Sequence, residues 1–270
     1  MKAALYVAWR SSDDVNGQWG PVGRLEHADG TYVFSYTKGA ERLPGFRPLV
    51  GMPDLSATYR SDELFPVFAN RLLTRSRRDY DAYLRWSGFD PNVPPDAISL
   101  LGVTEGRRET DALEVFPCPR PDSEGIRLNK FFVHGVRQMP EDANSRFPCL
   151  EVGEELGLLP ETTNGRSQDA MAVQAIIGNE RRLIGYLPRY LANDVRALLR
   201  DGPPDVVIVT VERVNLDAPL RHRLLCRMRS SWPDGSRPCG DERFELIEAT
   251  KIGRPEPVNA FGVRCEASMS

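Results

Sequence analysis

Lysine is nearly missing from this chain. Of its 35 basic residues only Lys2, Lys38, Lys130 and Lys251 are lysine, and all the others are arginine. Such a bias arises in GC-rich genomes, and it also suits phosphate contact, for which the forked guanidinium donors are well shaped. Histidine is as scarce, at His27, His134 and His222, scattered along the sequence. No HExxH or GxSxG pattern occurs, and no lysine closes an Asp…Glu-x-Lys run, so the familiar hydrolase and nuclease motifs are absent. Asp13-Asp14 and Glu154-Glu155 are adjacent acids of the kind found in loops, not a spaced catalytic pair. The five cysteines, Cys118, Cys149, Cys226, Cys239 and Cys265, form no CxxC pair. A zinc site would need remote ligands, so neither metal nor cofactor is expected. An odd cysteine count without a signal sequence points to reduced thiols in a cytoplasm. No apolar run reaches the ~18 residues of a membrane helix. The first residues lack a basic stretch followed by an apolar one. The expectation is a cytoplasmic protein, not an enzyme, with no membrane partner.

What is present is ordinary globular material. The 270 residues are 41% hydrophobic and 27% charged, with a net charge of −3, which fits one or two domains. The clearest break is Phe116-Pro117-Cys118-Pro119-Arg120-Pro121-Asp122-Ser123-Glu124-Gly125. Three alternating prolines hold neither a helix nor an inner strand. The reading is a domain over 1–116, a linker over 117–125, a second domain over 126–250 and a tail over 251–270 that shows no period.

In the first domain Leu5–Trp9 reads as a strand, and Tyr32, Phe34 and Tyr36 alternate along another after a turn at His27–Gly30. Pro66 suits a first helical position, with Phe68 and Leu72 on one face. Asp79 can cap a helix carrying Tyr80, Tyr83 and Leu84, ended by Gly88, and 96–102 can form a third. Strands followed by helices give a small α+β domain. In the second, Phe131–Val136 is strand-like, and Met171, Val173 and Ala175 alternate before a turn at Gly178-Asn179. Leu183–Leu187 is a strand stopped by Pro188. Leu191, Val195, Leu198 and Leu199 lie on one face of a helix ended by Gly202. Val206–Val214 is a β-branched strand. Along 221–229, His222, Leu224, Cys226 and Met228 alternate with Arg221, Arg223, Leu225, Arg227 and Arg229. Many strands around one helix suggest a small barrel.

The second domain resembles the HIRAN family. The residues that carry the likeness are Phe132-Val133-His134-Gly135-Val136-Arg137, then Asn164 with Asp169-Ala170-Met171-Ala172-Val173, then Ile184-Gly185-Tyr186-Leu187-Pro188-Arg189-Tyr190-Leu191. HIRAN domains are OB-like β-barrels. Those of remodelling helicases grip the free 3′ end of single-stranded DNA, and bacteria carry them alone or beside nucleases and helicases. The resemblance therefore implies an OB-like barrel with one central helix and nucleic-acid binding. More faintly, Leu5–Trp9 and Leu64-Phe65-Pro66-Val67-Phe68-Ala69-Asn70-Arg71-Leu72-Leu73 resemble the N-terminal subdomain of HipA-type proteins. The kinase-like core of those proteins has no counterpart here. That likeness implies a docking surface on 1–116 for a helicase, a nuclease or a HipB-like protein.

Single-stranded nucleic acid needs cations along its backbone and flat groups against its bases. The resemblance assigns Arg137 to DNA contact, with Gln138 standing where the family usually has a ring or histidine. Asn164 matches a family asparagine, and Arg166 and Ser167 stand where an aromatic residue and an acid are usual. An arginine plane can also stack on a base. Tyr186 is placed either on a base or in the core, and Arg189 either on a phosphate or in solvent at the helix start. Independently of any family, the Arg221, Arg223, Arg227 and Arg229 face puts guanidinium groups ~7 Å apart on one strand. It reads as a phosphate track or as an outer face that discourages edge pairing. Arg71, Arg75, Arg77 and Arg78, beside Asp79 and Asp81, read as a partly self-paired surface or a docking patch. His134 reads as structural. The expected function is non-catalytic binding of single-stranded DNA or DNA ends. The other reading is a protein-interaction module of a toxin–antitoxin, defence or repair complex, or an accessory subunit of an ATP-dependent helicase or nuclease that supplies the hydrolysis.

Overall fold

The computed structural model describes residues 3–11, 18–108, 112–118, 121–139, 147–161, 169–177, 180–203, 205–233 and 238–256. Its strands are β1 (Ala3–Arg10), β2 (Trp19–Ala28), β3 (Thr31–Tyr36), β4 (Ala57–Ser61), β5 (Leu113–Pro117), β6 (Ile126–Phe132), β7 (Glu155–Glu161), β8 (Ala170–Ile177), β9 (Glu180–Tyr186), β10 (Val207–Val214), β11 (Leu224–Ser231) and β12 (Lys251–Gly253). The helices are α1 (Lys38–Arg42), α2 (Pro66–Ala69), α3 (Tyr80–Trp86), α4 (Ala97–Thr104) and α5 (Arg189–Asp201). Among the described residues the protein is thus mixed α+β, mainly β, with two six-stranded sheets and few helices. None of those helices is long and apolar enough to cross a membrane.

Two compact units contain these elements. The described residues of Met1–Thr74, Pro95–Cys118 and Cys239–Ser270 form one, and those of Arg75–Pro94 and Pro119–Pro238 the other. This corrects the expected boundaries in two places. The 75–94 segment, with α3, belongs to the second unit, and 239–256 returns to the first.

The first unit carries the sheet β12-β4-β3-β2-β1-β5. Asp29 and Gly30 join β2 to β3 with φ of 52° and 76°, the paired positive values of a two-residue hairpin turn. Leu25, Phe34, Tyr36 and Tyr59 send their side chains to one face, where Phe65, Phe68, Ile98 and Leu101 cover them. The Tyr36 hydroxyl donates to Met52 O (2.6 Å) and accepts from Leu49 N (2.6 Å), and burial pushes its pKa up. Asp96 caps α4 by accepting from Ser99 N at 2.9 Å. Pro117 is not linker but the end of β5. Because β5 is an edge strand, a proline there removes no ladder bond that the sheet needs. The expected loose tail is corrected as well. Lys251–Gly253 pairs in parallel with β4, and Lys251 forms an ion pair with Asp54; residues 257–270 lie outside the described residues.

The second unit carries the sheet β6-β11-β10-β7-β8-β9. One face receives Phe131, Cys226, Met228, Val207, Val209 and Val211, all buried. Helix α5 buries Leu191, Val195 and Leu198 of the stripe its spacing predicts, leaves Leu199 half-buried and adds Tyr190. Helix α3 is held here by its own contacts. The Asn215 side chain donates to Trp86 O (3.0 Å), and Trp86 Nε1 donates to Asp217 (3.1 Å). His222 is buried among the rings of Tyr83, Trp86 and Phe132 at 5.8, 6.4 and 4.9 Å. Among the described residues the strands form no continuous closed barrel. Among the described residues the two edges approach at one end, through a bridge between His134, just beyond β6, and Tyr186 of β9.

Candidate nucleic-acid interface

That bridge is where the most specific sequence motifs meet. Val133 N bonds Leu224 O (3.0 Å), the last contact of the β6 side with β11. The chain then turns to the other edge. His134 N donates to Tyr186 O and Tyr186 N to His134 O, both at 2.9 Å. Two glycines allow this approach. A Cβ on Gly185 (φ +150°) would stand 2.3 Å from Val133 Cγ1 and 2.6 Å from His134 O. A Cβ on Gly135 (φ +74°) would stand 2.8 Å from Tyr186 Cδ2, so the Tyr186 ring lies against the backbone of that turn. Gly135 opens a 3₁₀ turn, Val136–Gln138, in which Val136 is buried and Arg137 and Gln138 are exposed. On the other segment, Leu187 N bonds Met171 O (2.9 Å), Pro188 sets the extended entry to α5, and Arg189 is its half-buried first residue.

The segments carrying Arg137, Gln138, Tyr186 and Arg189, some fifty residues apart in sequence, are therefore joined at one end of the sheet. Tyr186 is neither wholly core nor wholly free surface; it is half-buried. Asn164 and Arg166 lie outside the described residues, as does the expected Gly178-Asn179 turn.

The arginine face along 221–229 requires correction. Leu220–His222 is a 3₁₀ turn entered from Pro219, and Arg223 is helical in conformation, so β11 begins only at Leu224. Arg221 and Arg223 are thus not in line with Arg227 and Arg229. Arg223 Nη2 bonds Ala218 O at 2.9 Å. Leu225, expected on the arginine side, is fully buried at a point where β10 bulges between Val211 and Arg213. Arg227 and Arg229 are exposed. Arg227 sits directly across from Lys130 of β6, and the two cations share one carboxylate: Glu212 Oε2 lies 2.7 Å from Arg227 and Oε1 2.6 Å from Lys130. Burial alone would raise the Glu212 pKa, but the hydrogen bonds from Lys130 and Arg227 outweigh it and hold the carboxyl below its ordinary range. Cross-strand neutralisation, not a bare phosphate track, describes Arg227. The 3₁₀ turn of Arg221 packs against that of Arg137, so this arm of the chain borders the same end of the sheet.

The first-domain arginines do not form one patch. Arg71 is buried, its Nη1 and Nε bonded to Gly106 O (2.9 Å) and Val67 O (3.0 Å). Arg77 pairs with Asp79 at 2.9 Å. Phe65 and Phe68 are 1% and 0% exposed, so the rings of the HipA-like segment fill the first unit's core. Among the described residues no three His, Cys, Asp or Glu side chains gather as a metal-ligand set.

The positioning residue that sequence reading passed over is Glu212; the two glycines stand inside the quoted motifs, but no role was assigned to them there. Glu212 carried no signal, because it becomes the extra residue of a bulge.

No family model matches the chain, and no curated protein matches it. Among solved structures, a crystal structure of a protein from Lactobacillus plantarum is similar over 39% of this chain and 96% of its own length. The identity is 19% and the TM-score 0.31, a level of likeness that defines no shared fold.

Proposed function

We propose that the second unit is an OB-like HIRAN barrel that binds single-stranded nucleic acid, DNA or its 3′ end, without catalysis. The reading rests on one observation, the His134–Tyr186 bridge. It joins the turn bearing Arg137 and Gln138 to the ring of Tyr186 and to the start of α5 at Arg189. The turn that the Tyr186 ring packs against carries an exposed arginine, and an unpaired strand uses such a combination, charge for the phosphate and a flat face for the base. The same bridge draws the two edges of the sheet together, which supports the barrel. Phe65 and Phe68 of the HipA-like segment lie in the core, which favours this reading over a docking surface formed by their rings.

Fluorescence anisotropy on the full chain tests the proposal, using single strands with free or phosphate-blocked 3′ ends. Binding should weaken with salt by roughly 0.7 log units per phosphate contacted for each log unit of salt. Arg137→Ala should lower affinity about tenfold with an unchanged circular dichroism spectrum, as expected for one lost charge-assisted contact. Absence of binding below about 100 µM, beyond the usual non-specific range, would defeat the reading. Equal affinity for blocked and free ends would remove only the end specificity.

A further inference from the structure

The segment that returns to the first unit, Cys239–Gly253, is held lightly. From Cys239 to Glu256 no residue is buried. Phe244 meets the ring of Tyr6 on β1 edge-on at 4.9 Å, Lys38 pairs with Glu245 at 2.7 Å, and Arg42 pairs with Glu242 at 2.8 Å. Ion pairs so exposed add little each. Backbone bonds complete the attachment. Ile247 N donates to Tyr36 O and Thr250 N to Ser56 O, both at 3.0 Å, before Lys251–Gly253 pairs with β4. For an element with so little packing, the length of chain that must close behind it weighs heavily on how firmly it stays.

That length is set inside the second unit. The chain leaves the first unit after Cys118 and re-enters it at Cys239. Between those points, Ile126, which opens β6, stands directly opposite Ser231, which ends β11. Opposed residues of an antiparallel ladder are about 5 Å apart. Both ends are secured. Asp122 Oδ1 accepts from Glu124 N and Ile126 N, each at 2.9 Å, and the Arg127 guanidinium lies 4.7 Å from the centre of the Trp232 ring, just past β11.

We propose that the β6–β11 pairing is a clip that keeps 239–253 docked, so that opening of the second unit releases this strap and bares the β4 edge and the Tyr6 ring of the first. The link is chain length alone, and it does not depend on what the second unit binds. With β6 and β11 apart, docking closes a loop of about 120 residues, 119–238. With them paired, only 119–125 and 232–238, about fourteen residues, remain to be closed. The closure penalty grows as the 3/2 power of loop length, so the pairing favours docking roughly twentyfold.

Residue-resolved hydrogen exchange on the full chain tests this. The amides of Ile247 and Thr250 report the strap, that of Val133, bonded to Leu224 O, reports the clip, and that of Met52, bonded to Leu49 O, reports the rest of the first unit. A flexible Gly/Ser insertion of about 28 residues after Pro233 triples the short path and alters no core residue. Exchange at Ile247 and Thr250 should then rise about fivefold, with Met52 at its parent rate. Phe131→Ala removes a fully buried ring of β6. At a urea concentration that unprotects Val133 in this variant, exchange at Ile247 and Thr250 should rise roughly twentyfold with Met52 still protected. Parent rates at Ile247 and Thr250 in the insertion variant, a strap still protected after Val133 has lost protection, or loss at Met52 in step with Val133 would overturn the proposal. The insertion decides the question even if Phe131→Ala folds poorly.

Discussion

Gly185 is the residue on which the geometry of the candidate interface turns. Alanine there places a methyl group within van der Waals overlap of Val133 and of the His134 carbonyl. The expected cost is about 3 kcal/mol from overpacking and backbone strain, with loss of nucleic-acid binding. Gly125 is the control. Its φ is +77° but a Cβ meets nothing within 4 Å, so Gly125→Ala should cost only about 1 kcal/mol. Urea unfolding of both variants checks the contrast, and equal midpoints would mean that the close approach at Gly185 is not a constraint. Glu212 offers a second test at this scale. Its folded-state pKa is depressed by Lys130 and Arg227. The stabilisation is therefore present above the ordinary glutamate value and is lost as pH falls through the lower folded value. Glu212→Gln should destabilise by about 1 kcal/mol at pH 7, a modest figure because Arg227 is half in solvent. The gap from the parent should narrow as pH falls below the ordinary glutamate range. A gap that stays constant with pH would assign the role to packing.

Among the elements, two aspartates at helix starts behave differently, and the one expected from sequence to cap, Asp79, is the one that does not. Asp96 accepts from Ser99 N and from Ser99 Oγ (2.7 Å). Asp79 makes no cap bond and turns back to Arg77. Asp96→Ala should cost about 1 kcal/mol and Asp79→Ala under about 0.5 kcal/mol, read from thermal midpoints. Local pattern was legible wherever local physics decided. The α4 and α5 helices, the β3 alternation and the inward set Leu224, Cys226 and Met228 follow from periodicity. It failed where a partner decided. Arg221 and Arg223 alternate as a strand would, but Pro219 starts a 3₁₀ turn and the bulge at Glu212 reverses Leu225. Pro117 reads as a break, but an edge strand tolerates it. The Tyr83 and Leu84 stripe announces a helix without naming the sheet it covers. At the candidate interface the motifs named both segments, and only the bridge showed that they meet.

For the whole molecule, the division into units is not a division of the sequence. A fragment of residues 1–116 carries α3 without the sheet and Asn215 that hold it, and lacks the 239–256 return that covers Tyr6 and extends β4. It should unfold without a sharp transition and bind a hydrophobic dye, measured by near-ultraviolet circular dichroism and dye fluorescence. A steep two-state melt of that fragment would show that neither the helix nor the returning segment matters to it. Docking experiments on the first unit accordingly need the full chain.

The parallel pairing of Lys251–Gly253 with β4 also sets an order of events during synthesis. A ribosome releases β4 long before its neighbour exists, so that sheet margin waits, unpaired, while the entire second unit is being made. The second unit has all its strands once Ser231 has emerged, whereas the first is finished only when position 253 emerges. The part of the protein translated first is therefore the last to be completed. A chain stalled between those two points would present an open strand to whatever chaperone meets it.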